Sequence, residues 1–395
     1  MKKILTFVFI FSAFFNFNLI AQNANSSTVK FIKGNISDKT AAVREASESE
    51  VAWISTQAID FCLQNKEVLG ADRELDGLAV AAILSISPEL IKNDEASYNK
   101  LLSDFTSLFI KFNKSNTVQI AVISKIVALK DTIPSDAFTT VINEYIRSTD
   151  IKAIDSGVFK ACVSALETIG NNESFSILYG LLNDARYNSY RKEIEATTVA
   201  LIPTAMDEVL GMISNSDIKK ITSIFELTQK NSKISAKNLC EISEKVLIET
   251  ILLTENSSGI SEADADVQLS ALKVLSDNKW TRASDTVLNF FGLSKKMYEK
   301  STLKEDKFIT VISSLRNIAP LNAVSPLISY LEELNNLTES GKKVSSDLVM
   351  AIIDTLGAIG DKAAFDSLLV VTGLENYEES VRAAAQKALL GLRWQ

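Results

Sequence analysis

The feature that constrains this chain most is a helical period that stops and restarts at short intervals near its end. Val349, Ile352, Ile353, Leu356 and Ile359 fall at i, i+3, i+4, i+7 and i+10, one apolar face of an α-helix. Gly360 follows, a residue type that readily takes the left-handed conformation ending a helix. Asp361 comes next, a good N-cap. A second helix then carries Phe365, Leu368 and Leu369. Glu378 and Glu379 open a third, where the helix dipole favours negative charge. Its apolar side is Val381, Ala384, Ala385, Ala388, Leu389 and Leu392. A single helix pair of this kind cannot bury its apolar face alone and requires stacked neighbours.

The outline recurs. "ALETIGNNESFSILYGLL" aligns with "TLGAIGDKAAFDSLLVV" at an offset of 190, so that Leu166, Ile169, Gly170 and Phe175 meet Leu356, Ile359, Gly360 and Phe365. Equivalent positions at the ends of first helices are Ile83, Ile126, Leu166, Leu272, Leu315 and Leu356. They stand roughly forty residues apart, the length of a helical-repeat unit, except across the gap from Leu166 to Leu272.

The stretch "TLGAIGDKAAFDSLLVV", followed by "ESVRAAAQKALLGL", resembles the bacterial HEAT-like repeats, of the type also seen in phycobilisome lyases. The resemblance is strong at 155–183 and 305–392 and weak at 38–110 and 184–260. It implies an all-α fold: a right-handed α-solenoid of stacked antiparallel helix pairs (HEAT/armadillo-like) over 38–395. Regular repeats are expected at about 70–183 and 262–395, with an irregular middle at about 184–261. It also implies that Arg382 after Val381, and Arg44 in "AAVREA", brace neighbouring units. Glu379, Arg382, Gln386 and Arg393 form a polar stripe on the last helix, as a terminal cap requires.

Five prolines in 395 residues favour long helical runs. The first residues read as a targeting segment. Lys2 and Lys3 precede the apolar run Ile4 to Phe15, and Leu19-Ile20-Ala21 precedes a cleavage site before Gln22, which predicts a signal peptide at 1–21. No Cys follows that run, so an N-terminal lipid anchor is not available. Residues 22–37 read as a flexible leader with a short extended segment. The expectation is an exported protein, periplasmic or secreted, with no stable membrane insertion after cleavage. Its formal net charge of -8 argues against nucleic acid as a partner.

There is no histidine. That removes Ser-His-Asp and Cys-His catalysis and any His-ligated metal. No Gly-rich phosphate loop and no CxxC occurs. Cys62, Cys162 and Cys240 sit inside helical apolar patterns far apart in the chain. They read as three buried free thiols. "EADAD" (262–266) alternates acids in a loop but lacks the Gly and the distal Glu of an EF-hand loop. It reads as a helix-capping loop. The Lys-rich "GLSKKMYEKSTLKEDK" reads as an extended loop or helix tip. No catalytic residue, metal site or cofactor is expected.

Aromatic side chains beside arginine make interaction hot spots. Arg186, Tyr187, Tyr190 and Arg191 stand together in "DARYNSYRKE", and Trp280 stands near Arg282. These six are the candidate partner-binding residues. The Lys295-Lys296-Met297-Tyr298 segment is a weaker one, and Trp53 and Trp394 read as core and end-cap packing. The function expected is a non-enzymatic scaffold or adaptor for a protein partner in the cell envelope. The alternatives are a binder of envelope polysaccharide or peptidoglycan, using Tyr187, Tyr190 and Trp280 as platforms, and a lyase-type enzyme on the HEAT fold.

Overall fold

The computed structural model describes residues 26–91, 95–256 and 262–393. The expected signal peptide and Trp394 lie outside the described residues. Within them the chain forms twenty α-helices, no strand, and one isolated bridge between Asp361 and Arg393. It divides into two compact units, Met1–Leu201 and Ile202–Gln395.

The first unit holds α1 (Ser27–Lys33), α2 (Ile36–Glu45), α3 (Glu48–Leu69), α4 (Arg73–Ser85) and α5 (Glu95–Lys111). It continues with α6 (Asn116–Ala128), α7 (Asp136–Ser148), α8 (Ser156–Ile169), α9 (Asn172–Leu182) and α10 (Arg191–Leu201). The second holds α11 (Met206–Ser214), α12 (Ile218–Gln229), α13 (Ala236–Glu255), α14 (Glu262–Asp277) and α15 (Ser284–Glu299). It ends with α16 (Glu305–Ile318), α17 (Val324–Glu339), α18 (Ser346–Ile359), α19 (Phe365–Gly373) and α20 (Glu379–Leu390).

In the first unit helices pack on their next-but-one neighbours. One row is α2, α4, α6, α8, α10; the other is α1, α3, α5, α7, α9. The rows are joined by the sequential pairs α3–α4, α5–α6, α7–α8 and α9–α10. Adding ten to each helix number gives most, though not all, of the pairs in the second unit. The pairs α13–α14, α15–α16, α17–α18 and α19–α20 recur, as do the next-but-one contacts α14–α16, α16–α18, α18–α20, α11–α13, α13–α15 and α17–α19.

The repetition extends to single residues. Val158, Phe159, Cys162, Val163, Ala165 and Leu166 are buried on α8, and Leu348, Val349, Ile352, Ile353, Thr355 and Leu356 are buried at the matching places on α18. Asp155 caps α8 by accepting from the Val158 amide at 2.9 Å, and Ser345 caps α18 by accepting from Leu348 at 3.3 Å. Such a cap contributes about 1 kcal/mol. Each cap is also tied to the start of the preceding row neighbour: Asn116 donates to Asp155 at 2.6 Å, and Ser345 donates to Glu305 at 2.6 Å. Buried Asn143 on α7 accepts from Ser174 at 2.9 Å, while buried Asn335 on α17 donates to the Ser367 carbonyl at 3.3 Å. An unpaired buried amide costs about 1–3 kcal/mol, so each of these links fixes the spacing of two neighbouring helices.

Several expectations need correction. The leader is not extended: Ser26 caps α1, and α2 begins at Ile36 with a capping box from Asn35 and Asp38. Of the two readings of the Lys-rich segment the helix tip holds and the extended loop does not, since α15 runs to Glu299 and α16 starts at Glu305. The acids at 262–266 open α14 rather than forming a loop, and Asp266 accepts from Lys307 at 2.7 Å. Arg382 pairs with Glu379 of its own helix at 2.6 Å, not with a neighbouring one, and Arg44 is exposed. Trp53 is 45% exposed, edge-on to Phe31. The three cysteines are free and buried.

Candidate binding site

The arginine-aromatic cluster of the first unit lies on a 3-10 turn, Ala185–Tyr190, between α9 and α10. Asp184 caps it, accepting from the Arg186 amide at 3.0 Å. The Arg186 guanidinium folds back on the same carboxylate, with Nη2 at 2.6 Å and Nε at 2.9 Å. Those hydrogen bonds hold the Asp184 carboxyl below its usual range. Tyr187 is 6% exposed, with its ring 5.8 Å from Phe159. Tyr190 packs on the same phenylalanine at 4.6 Å. Arg191 donates to the Leu182 carbonyl at 2.9 Å and so closes the end of α9. The structure brings these four together, but Tyr187 faces inward and both guanidinium groups have partners.

In the second unit Trp280 and Arg282 converge on α13. The indole N–H donates to Glu244 at 2.8 Å. Arg282 donates to Glu244 at 2.9 Å and to Glu241 at 3.2 Å, and its guanidinium lies 4.8 Å from the Trp280 ring centre. The half-buried cluster braces the α14–α15 connection against α13. The weaker candidates are also packed. Lys295 reaches Glu333 on α17 at 2.6 Å and lies over the Tyr330 ring. Tyr298 stacks on Phe308 at 5.2 Å and donates to Glu305 at 2.6 Å. Burial pushes the Tyr298 phenol up to about 12.

A different place in the first unit has the shape of a binding site. A cleft of about 680 Å³ opens between the end of α5, α7 and the loop leading to α8. Ligand pockets run from about 300 to 1,000 Å³. Its apolar floor is Phe109, Ile110, Val141 and the Tyr145 ring, which meets Phe109 edge-on at 5.3 Å. Ile110 is 57% exposed there. Lys114, Glu144 and Asp155 stand around it. Burial pushes the Tyr145 phenol up to about 12, and the nearby Asp155 carboxylate adds to it.

The second unit differs at the equivalent place. Aligned by their buried positions, Phe109, Gln119 and Phe138 correspond to Tyr298, Phe308 and Tyr330. Phe308 lies 5.2 Å from Tyr298 and 5.9 Å from Tyr330. In the first unit a buried amide stands where that ring would be, and Gln119 donates to the Phe109 carbonyl at 3.1 Å. The sequence carried no signal for this cleft. Its residues come from three separate segments, and none forms a local motif.

The chain matches no protein-family model and no curated protein. Among the described residues, no single helix is long and apolar enough to cross a membrane.

Proposed function

We propose that the chain is a HEAT-like right-handed α-solenoid, exported to the periplasm or beyond, that acts as a non-enzymatic scaffold for a protein partner of the cell envelope. The observation carrying this reading is the next-but-one helix packing repeated within each unit, together with an open, half-apolar cleft on the first. Helices stacked in rows expose long continuous surfaces at little sequence cost, and such surfaces bind proteins. The polysaccharide reading wants exposed ring faces, whereas Tyr187 is buried and Arg282 lies over Trp280. The lyase reading wants carboxylates free to act. Both Asp155 oxygens accept hydrogen bonds, from Val158 and Asn116.

The test is affinity capture of residues 22–395 from envelope extract with a cross-linker. One protein recovered in fixed ratio supports the scaffold. Retention on isolated cell wall with no protein partner overturns it in favour of the polysaccharide reading.

A further inference from the structure

The first helix sits in a place that its neighbours build without it. α1 has seven residues, too few for a helix to persist alone. It buries one side chain, Phe31, whereas α11 in the second unit buries Val209 and Ile213. The rest of its hold is polar and comes from two charged side chains of other helices. Glu50 on α3 accepts from the Thr28 amide at 3.2 Å and from the Thr28 hydroxyl at 2.9 Å. That amide lies in the first turn of α1, where N–H groups have no partner within the helix. Lys39 on α2 donates to the Phe31 carbonyl at 2.5 Å, in the last turn, where carbonyls are left over in the same way. Between the two charges is an aromatic wall. Phe31 meets Trp53 edge-on at 6.3 Å, and Lys39 Nζ stands 4.9 Å from the Phe31 ring centre and 5.3 Å from that of Phe61. Ser47 donates to the second Glu50 oxygen at 2.9 Å, so α3 positions this carboxylate by itself. The place therefore fits a short helix with one aromatic ring, a free amide at one end and a free carbonyl at the other.

The join to the body is the second observation. Only Gly34 and Asn35 stand between α1 and α2. Asn35 is committed to the capping box of α2 with Asp38. A Cβ on Gly34 would stand 2.3 Å from Asp38 Cβ and 2.6 Å from the Lys30 carbonyl oxygen. Its φ of -78 and ψ of 163 suit any residue, so the closeness alone requires glycine. α1 folds back onto its own α2 and α3 because one position lacks a side chain. With that turn opened, the same contacts are available from another molecule. Exchange of an identical element is a low-cost route to a dimer, and short hinges invite it.

We propose that the place between Lys39 and Glu50 is a dimerisation site whose occupant is α1 of a second copy of this chain, exchanged reciprocally. The occupant is specified because α1 is the segment seen to fit. The two-residue tether gives α1 of the same chain a high effective concentration, so exchange is read by trapping at high protein concentration. The proposal stands apart from the scaffold reading, since it needs no other protein.

Two full-chain variants, Thr28→Cys and Glu50→Cys, are mixed and treated with a short bis-maleimide. The three native cysteines are buried and do not compete. The expected product is a cross-linked heterodimer, reduced about tenfold or more when Phe31→Ala is added to the Thr28→Cys chain. A chain carrying both cysteines should cross-link within itself. Gly34→Ala, which leaves no room for the tight turn, should convert the chain from monomer to dimer in light scattering, independently of the reagent. Absence of the heterodimer, while the doubly substituted chain cross-links, overturns the proposal. So does a heterodimer insensitive to Phe31→Ala, which collision alone would give, or a Gly34→Ala chain that stays monomeric.

Discussion

At the residue scale, the glycines show how far a sequence pattern reaches. Gly360 takes φ +75 at the end of α18, the left-handed conformation its place after an apolar run foretells. Gly170, its counterpart, has φ -72. A Cβ there would stand closest to the backbone carbonyl oxygen of Leu166, and 2.8 Å from Leu201 Cδ2, so close approach and not handedness accounts for it. That difference is invisible in sequence because it depends on how the backbone leaves the end of α8. Gly357 is a third case. It lies within α18, and a Cβ would come within 2.9 Å of Ala388 Cβ on α20. Replacing a helical glycine gains at most about 1 kcal/mol of propensity, and overpacking costs about 1–3 kcal/mol. Gly357→Leu, whose larger side chain has no room at this crossing, should therefore destabilise the protein by about 2 kcal/mol in urea unfolding. An unchanged midpoint would show that α18 and α20 do not meet there.

At the scale of the element, helices were legible because most carry a buried stripe at the helical period, and many a polar residue before the first turn. On α18 the apolar set Val349, Ile352, Ile353 and Leu356 is buried throughout. Short α1 was missed because seven residues hold too few turns for a period to register. The candidate site was hardly legible. Arg186 and Arg191 could be seen as arginines beside tyrosines, but not that Asp184 and the Leu182 carbonyl would engage them. Pairing across turns is decided by backbone geometry. The buried phenols and thiol give a further expectation. Tyr145, Tyr298 and Cys62 are each pushed up to about 12, burial being the main cause. In the unfolded chain they ionise near their ordinary values, about 8.5 for Cys and 10 for Tyr. Their folded-state pKa is raised, so this contribution is complete below those values and is lost as pH rises towards about 12. Urea midpoints should fall steadily from about pH 9 upward, followed by far-UV ellipticity. A midpoint held constant to about pH 11 would contradict the burial of these groups.

At the scale of the molecule, the match at an offset of 190 seen in one stretch of sequence belongs to two sets of ten helices, between which the offset varies from helix to helix. The middle read as irregular because the boundary falls inside it. It contains the last helix of one unit and the short first helices of the next. Each unit has its own core. Phe105, Phe112, Phe138, Phe159 and Phe175 are fully buried in the first, and Phe225, Phe290 and Phe308 in the second. Each such ring contributes about 1.5–3 kcal/mol. The central claim is that one ten-helix pattern occurs twice, each copy complete. Its most direct test is to express residues 26–201 and 202–393 separately and record far-UV ellipticity through a thermal melt. Two strongly helical fragments, each melting in one cooperative transition, are the predicted result. Fragments without a cooperative transition would contradict the account, since helices would then form only in the uncut chain.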